Sequence, residues 1–165
     1  MVVVIVGIMA AVALPRFADR STFDAQGFYD QAQSAVRYAQ NSAIAKRRTV
    51  YVMVDTGAGY TRIRACYDLP APIGNSCASP VNSPVPYTKF SSGTTTNDVW
   101  VEAPNGVTLT TSLVAQGSGT VTASNTFSYN GLGQPSYAGQ VFRFTINGGT
   151  ARIFDVEPDT GYVHV

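Results

Sequence analysis

The chain opens on a stretch that no water-facing surface can accommodate. From Met1 to Leu14 every residue is apolar, and the first charge is Arg16. A helix there is hydrophobic on all sides and has to be buried in lipid or among like helices. At ~1.5 Å per residue it covers about 21 Å, short of the roughly 30 Å hydrocarbon core of a bilayer. Three settings fit such a run: the apolar region of a signal peptide, a buried core helix, or a membrane helix whose beginning is missing. Ala11-Val12-Ala13 is similar to a small-residue cleavage site, but the basic leader that precedes a signal peptide's apolar region is absent.

The next residues decide between them. Pro15 permits a kink, and Ser21, Thr22 and Asp24 supply cap oxygens and a first-turn acid for a renewed helix. Ala25, Phe28, Ala32, Val36, Ala39 and Ala43 then recur at three- and four-residue steps, leaving Asp30, Gln33, Arg37 and Gln40 for the wet side. Ile44 is read with the packing set. Lys46, Arg47 and Arg48 close the helix, where cations favour the carbonyl end of its dipole. The reading is one long helix, apolar over residues 1–20 and one-sided over 21–48, followed by a β-domain over 49–165.

That β-domain is argued from alternation. Val50, Val52 and Val54 share one face of a strand and Tyr51 and Met53 the other, and Gly57-Ala58-Gly59 turns the chain into Tyr60 to Tyr67. Pro70, Pro72, Pro80, Pro84 and Pro86 exclude a central strand between Asp68 and Asp98, which reads as an exposed loop. Strands are expected again at Val99 to Glu102, Val107 to Val114, Gly119 to Tyr129, Gln140 to Asn147, Thr150 to Val156 and Tyr162 to Val165. With no helices to build parallel βαβ units, the fold class is α+β: a helix packed on a mainly antiparallel sheet. Charged residues make up only 13% of the chain, with a net charge of +1. There is thus no long-range field to draw in nucleic acid. Two cysteines, Cys66 and Cys77, and one histidine, His164, are too few for a zinc site. The close cysteine pair reads first as a disulfide at the base of the proline-rich loop, the other reading being two buried free thiols.

These features together resemble a known family. The run from Met1 through Ala13-Leu14-Pro15-Arg16-Phe17, with Val2, Val3, Val4, Ile5, Val6 and Ile8, is similar to the N-terminal helix of type IV pilins and type II secretion pseudopilins, entered several residues inside the mature protein. The resemblance implies upstream residues carrying a prepilin cleavage site, an N-methylated aromatic and an assembly glutamate. The stretch Ser34 to Arg48 followed by Val50 to Val54 resembles GspH/FimT-type minor pilins, as do Phe127 to Pro135 and Thr160-Gly161-Tyr162-Val163. Phe23 to Gln31 is similar to the minor pilin of the mannose-sensitive haemagglutinin pilus. The resemblance implies a structural subunit, not an enzyme. It would be anchored in the inner membrane by one helix, with its head in the periplasm, and would prime or cap a filament. Its implied partners are other major and minor pilins, the inner-membrane assembly platform and membrane lipid, with no cofactor.

Other chemistry is thinly represented. A hydrolytic triad would have to take its base from His164 on the final strand, and Gly117-Ser118-Gly119 and Gly131-Leu132-Gly133 lack the helix and lysine of a phosphate loop. Asp155, Glu157 and Asp159 alternate ahead of Gly161, a faint calcium pattern with the glycine one place late. DNA binding, known for some FimT-like pilins through arginines after a C-terminal glycine, meets Gly161-Tyr162-Val163-His164 here, with both arginine places lost. Arg143 and Arg152 on neighbouring strands could still form a small basic patch beside Asp155 and Glu157.

Overall fold

The computed structural model describes residues 21–57, 60–68, 77, 79–81 and 99–165. Val2, Val3, Val4, Ile5, Val6, Ile8, Leu14 and Pro15, and with them the whole apolar segment 1–20, lie outside the described residues. So does most of the proline-rich stretch. Among the described residues no helix is long and apolar enough to cross a membrane.

Helix α1, Ser21–Lys46, buries Ala25, Phe28, Tyr29, Ala32, Ala35, Val36, Ala39 and Ala43. These fall on one stripe of three- and four-residue steps, which is what commits the helix to a sheet surface. Ile44 does not belong to that stripe. It is 46% exposed, because it follows the buried Ala43 by one residue and so points about 100° away around the axis. The helix ends in a Schellman motif: Arg48 N–H donates to Ala43 C=O at 3.1 Å and Arg47 N–H to Ile44 C=O at 3.2 Å. The left-handed position is taken by Arg47, at φ 49°. The basic run is therefore a helix terminus, with Arg47 itself turning the chain out of the helix.

Nine strands follow among the described residues: β1 Val50–Gly57, β2 Tyr60–Cys66, β3 Val99–Glu102, β4 Thr108–Ala115, β5 Val121–Ala123, β6 Thr126–Tyr129, β7 Gln140–Asn147, β8 Arg152–Val156 and β9 Val163–His164. They form two sheets and not the single one expected, in orders β3-β2-β1-β6 and β5-β4-β7-β8-β9, and every pairing is antiparallel. The continuous strand expected from Gly119 to Tyr129 is broken at Ser124-Asn125. Before the break β5 pairs with β4, and after it β6 pairs with β1. Asn125 C=O accepts from Val54 N–H at 2.8 Å, and Thr111 Oγ1 donates to Ser124 C=O at 2.6 Å. The two residues of the crossing are thus satisfied by one sheet each.

The core lies where α1 covers both sheets. Val50, Val52, Val54, Ile63, Ala65, Phe127 and Tyr129 line it from the first sheet, and Phe142, Phe144, Ile146, Phe154 and Val156 from the second. Phe127 joins the two, with ring centroids 4.6 Å from Phe142 and 6.2 Å from Phe144, and Phe144 stacks on its cross-strand partner Phe154 at 4.5 Å. The helix is tied to the second sheet by two long-range bonds. Tyr29 OH donates to Ile153 C=O at 3.3 Å and Arg37 Nη2 to Val163 C=O at 3.1 Å.

Candidate interaction surface

Three features rise from this frame. The first is a junction at the end of α1. Gln40 Nε2 donates to Gly133 C=O at 3.0 Å and to Thr160 C=O at 2.8 Å, drawing together the helix, the turn after β6 and the turn before β9. Both turns need glycine. Gly161 has φ 68°, and a Cβ there would meet Gly133 O at 2.5 Å and Tyr129 Cε1 at 2.8 Å; Gly133 has φ 82°, with Ile44 Cδ1 2.7 Å from where its Cβ would stand. The Tyr129 phenol closes the junction by donating to Gly161 C=O at 3.4 Å, and burial pushes its pKa up, so it stays a neutral donor.

The second feature is the base of the proline-rich stretch. Cys66 and Cys77 are joined in a disulfide. Beside it Tyr67 N–H donates to Ser79 C=O at 2.9 Å and Val81 N–H to Ala65 C=O at 3.0 Å. Pro80 forms a bridge with Cys66, and Val81 is 2% exposed in the core. The expectation of an exposed loop throughout 68–98 is corrected at these residues: they extend the sheet past the end of β3, and a proline can sit at such a margin because it owes the ladder no N–H. Arg48 pairs with Asp68 at 3.0 Å and lies 5.1 Å over the Tyr67 ring. A groove of about 530 Å³ runs between α1 and this segment, lined by Tyr38, Asn41, Ala45, Lys46, Tyr67 and Pro80 among others. Reduction of the bridge should lower stability by about 3 kcal/mol, the chain-entropy figure for a ring this short, and speed amide exchange at Val81. Urea titration with and without reductant, read beside hydrogen exchange, measures both.

The third is a set of buried charges absent from the sequence expectation. On the face of the first sheet turned away from Val52 and Ile63, Asp55, Arg62, Arg64 and Glu102 are all under 10% exposed. Arg64 Nε lies 2.6 Å from Asp55 Oδ2, a charge contact whose N–H is not aimed at the oxygen. Arg62 Nε donates to the same oxygen at 3.4 Å. Asp55 faces Arg62 and Arg62 faces Glu102 in register, and the Arg62 guanidinium sits 4.7 Å over Tyr60. Two positive and two negative groups balance, which is the condition for burying any of them. The visible signal was Thr61-Arg62-Ile63-Arg64 facing Asp55 across a glycine turn: once that turn is placed, opposite charges fall on one face.

The remaining sequence candidates are occupied elsewhere. Arg143 makes a two-pronged pair with Asp155 at 2.9 and 2.7 Å, and this bond raises the guanidinium's pKa further. Arg152 stands opposite Ile146 and not beside Arg143, so no joint basic patch forms from the two. Glu157 Oε1 is 2.6 Å from His164 Nε2, and Glu157 Oε2 accepts from Gln116 at 3.4 Å. With Asp155 and Glu157 so engaged, Asp155, Glu157 and Asp159 do not gather round a point. No group of three His, Cys, Asp or Glu that could hold a metal occurs among the described residues. Nor does any described hydroxyl or thiol hydrogen-bond to the His164 ring.

No protein-family model and no curated protein matches the chain. Among solved structures, it is similar to the type IV minor pilin FimU of Pseudomonas aeruginosa strain PAO1. The P21 crystal form aligns with a TM-score of 0.51 at 11% identity, over 88% of this chain and 90% of that one. The P65 form aligns with a TM-score of 0.46 at 12% identity, over 87% and 90%. The shared property is the fold: one helix packed on antiparallel sheets.

Proposed function

We propose that the chain is a minor type IV pilin or pseudopilin, a structural subunit that primes or caps a filament through helix and head contacts. The observation that carries this is the fold shared with a minor pilin, read with the apolar run that precedes α1 in the sequence. In this reading the apolar segment sits in the inner membrane and then among neighbouring pilin helices, and the head stands in the periplasm, an oxidising compartment in which a Cys66–Cys77 bridge persists. Moving an apolar helix from lipid into a helix bundle exchanges one apolar setting for another, so specificity falls to the head's surface. The role needs no catalysis and no cofactor. The resemblance to the mannose-sensitive haemagglutinin minor pilin makes an adhesion pilus the machine to test first. DNA uptake is the weaker reading, since Arg143 is committed to Asp155.

The test is to follow the tagged full-length chain in its host. It should enter the membrane fraction and sheared surface filaments, and its deletion should reduce filament number or secretion. A chain found only free in the periplasm, whose deletion leaves both unchanged, would overturn the proposal.

A further inference from the structure

Strand β5 ends its sheet on an open edge. Its pairing with β4 runs from Thr120, whose C=O accepts from Ala115 N–H at 2.9 Å, to Ser124, whose N–H donates to Thr111 C=O at 3.5 Å. Bonded positions alternate along an antiparallel pair. With Thr120, Thr122 and Ser124 turned toward β4, the N–H and C=O groups of Val121 and Ala123 point outward. None of these four groups has a partner among the described residues, and Val121, Thr122 and Ala123 are all exposed. Two other sheet margins are closed. Strand β9 is only two residues long, with its Val163 C=O held by Arg37. Strand β6 is covered by Ser136, whose N–H donates to Ser128 C=O at 2.9 Å and whose Oγ accepts from Ser128 N–H at 3.2 Å.

An open edge is commonly guarded by a lysine, a proline or a bulge. Here the guard is missing: from Ala103 to Phe142 the sequence holds no Asp, Glu, Lys, Arg or His, and no proline lies between Gly119 and Asn125. Val121, 64% exposed, instead starts an apolar row that crosses the sheet in register through Val114 to Val141. At the C-terminal end of the edge, where the chain leaves β4 for β1, a groove of about 410 Å³ opens. Ala123, Ser124, Asn125 and Thr56 line it, with Val54 and Leu109 as its most buried members.

These features state the occupant. Unpaired N–H and C=O groups at strand spacing are matched by an extended polypeptide backbone, and a pocket beside them selects a side chain. The groove takes an apolar one, because none of its described lining residues carries a charge to balance a buried ion. A second copy of this chain does not fit. Two β5 strands related by a two-fold axis run antiparallel, and the register that uses all four outward groups of each sets the copy's Thr120 and Gly119 against Ser124 and Asn125, a threonine and a glycine where the groove takes an apolar side chain.

We infer that β5 is a strand-addition site: an uncharged, extended segment of another protein chain pairs with Val121 and Ala123 and sets an apolar side chain in the groove. The inference goes beyond the pilin reading and does not rest on it.

The test places an aliphatic diazirine amino acid at Val121 of the tagged full chain in its host. After irradiation, adduct peptides from all cell fractions are identified by mass spectrometry. The expected adduct is to an uncharged stretch of another protein. Its yield should fall at least about tenfold in Ala123→Pro, which removes an outward N–H while sparing the bonds to β4, with the melting temperature of the purified chain unchanged. If Ala123→Pro lowers that temperature, Ala123→Lys, a guard of the kind edge strands carry, supplies the same comparison. Thr56→Lys, which brings a cation to the groove from an exposed position, should lower the yield about fivefold. No protein adduct, an adduct to this chain's own β5 peptide or to a charged stretch, or a yield indifferent to the edge or groove variants overturns the inference. Each of these is read whether or not the chain enters filaments, so the strand-addition site and the pilin reading fail separately.

Discussion

Phe28→Ala should destabilise the head by about 3–5 kcal/mol, a large fraction of the roughly 5–15 kcal/mol that a folded domain has to lose. Phe28 is 2% exposed on the buried stripe of α1. Most of its companions on that stripe are small: Ala25, Ala32, Ala35, Ala39 and Ala43. An alanine seam lets the helix backbone lie close to the sheets, and a helix already that close has little room to settle into a new void. The cavity term is therefore added nearly in full to the lost transfer energy. Urea denaturation followed by circular dichroism measures the change. A loss below about 1 kcal/mol would mean that the ring is not enclosed between helix and sheet.

Asp55→Asn should have an effect of the same order, through charge and not volume. The substitution keeps the shape of the side chain but removes the anion that Arg64 and Arg62 share. Breaking a buried ion pair by deleting one partner costs about 3–5 kcal/mol, because the charge left behind has neither water nor counterion. Glu102, buried opposite Arg62, remains to balance one guanidinium of the two. The double variant Arg64→Met with Asp55→Asn should regain much of the loss, since it withdraws one charge of each sign. A double-mutant cycle in urea reads the coupling, and additive losses would show that the pair does not act as a unit.

How far the sequence speaks depends on which physical signal each element leaves. The long helix is legible because its apolar period is sustained over many turns. The β1–β2 and β7–β8 hairpins are legible because alternation meets glycine turns at Gly57 and at Gly148-Gly149. The disulfide is legible as an isolated close pair. Period-two alternation, however, tells which face a residue takes and not which sheet it joins, so the crossing at Ser124-Asn125 and the division into two sheets leave no trace in the pattern. Ile44 reads as core by its chemistry and falls outside the stripe by one position. Arg62 and Arg64 read as solvent residues because burial of a charge depends on its partners, and these come from β1 and β3, the latter more than thirty residues downstream. The junction at Gly131 and Gly133 is equally illegible: the glycines mark a turn, but only the folded chain brings Gln40 and Arg47 beneath it.

The bonds from Tyr29 to Ile153 and from Arg37 to Val163 span 124 and 126 residues, and they set an order of events. The helix is synthesised early, yet part of the surface that covers it belongs to strands made more than a hundred residues later. Closing so long a loop costs entropy before any contact repays it, which slows folding. Through that interval Ala25 and Tyr29 lack the part of their cover that Gly148 and Phe154 supply, and an uncovered apolar face is where a chain aggregates. The head is thus closed only when its last strands return to its first element, and its yield in a cell should track how well that part of the helix is sheltered until then.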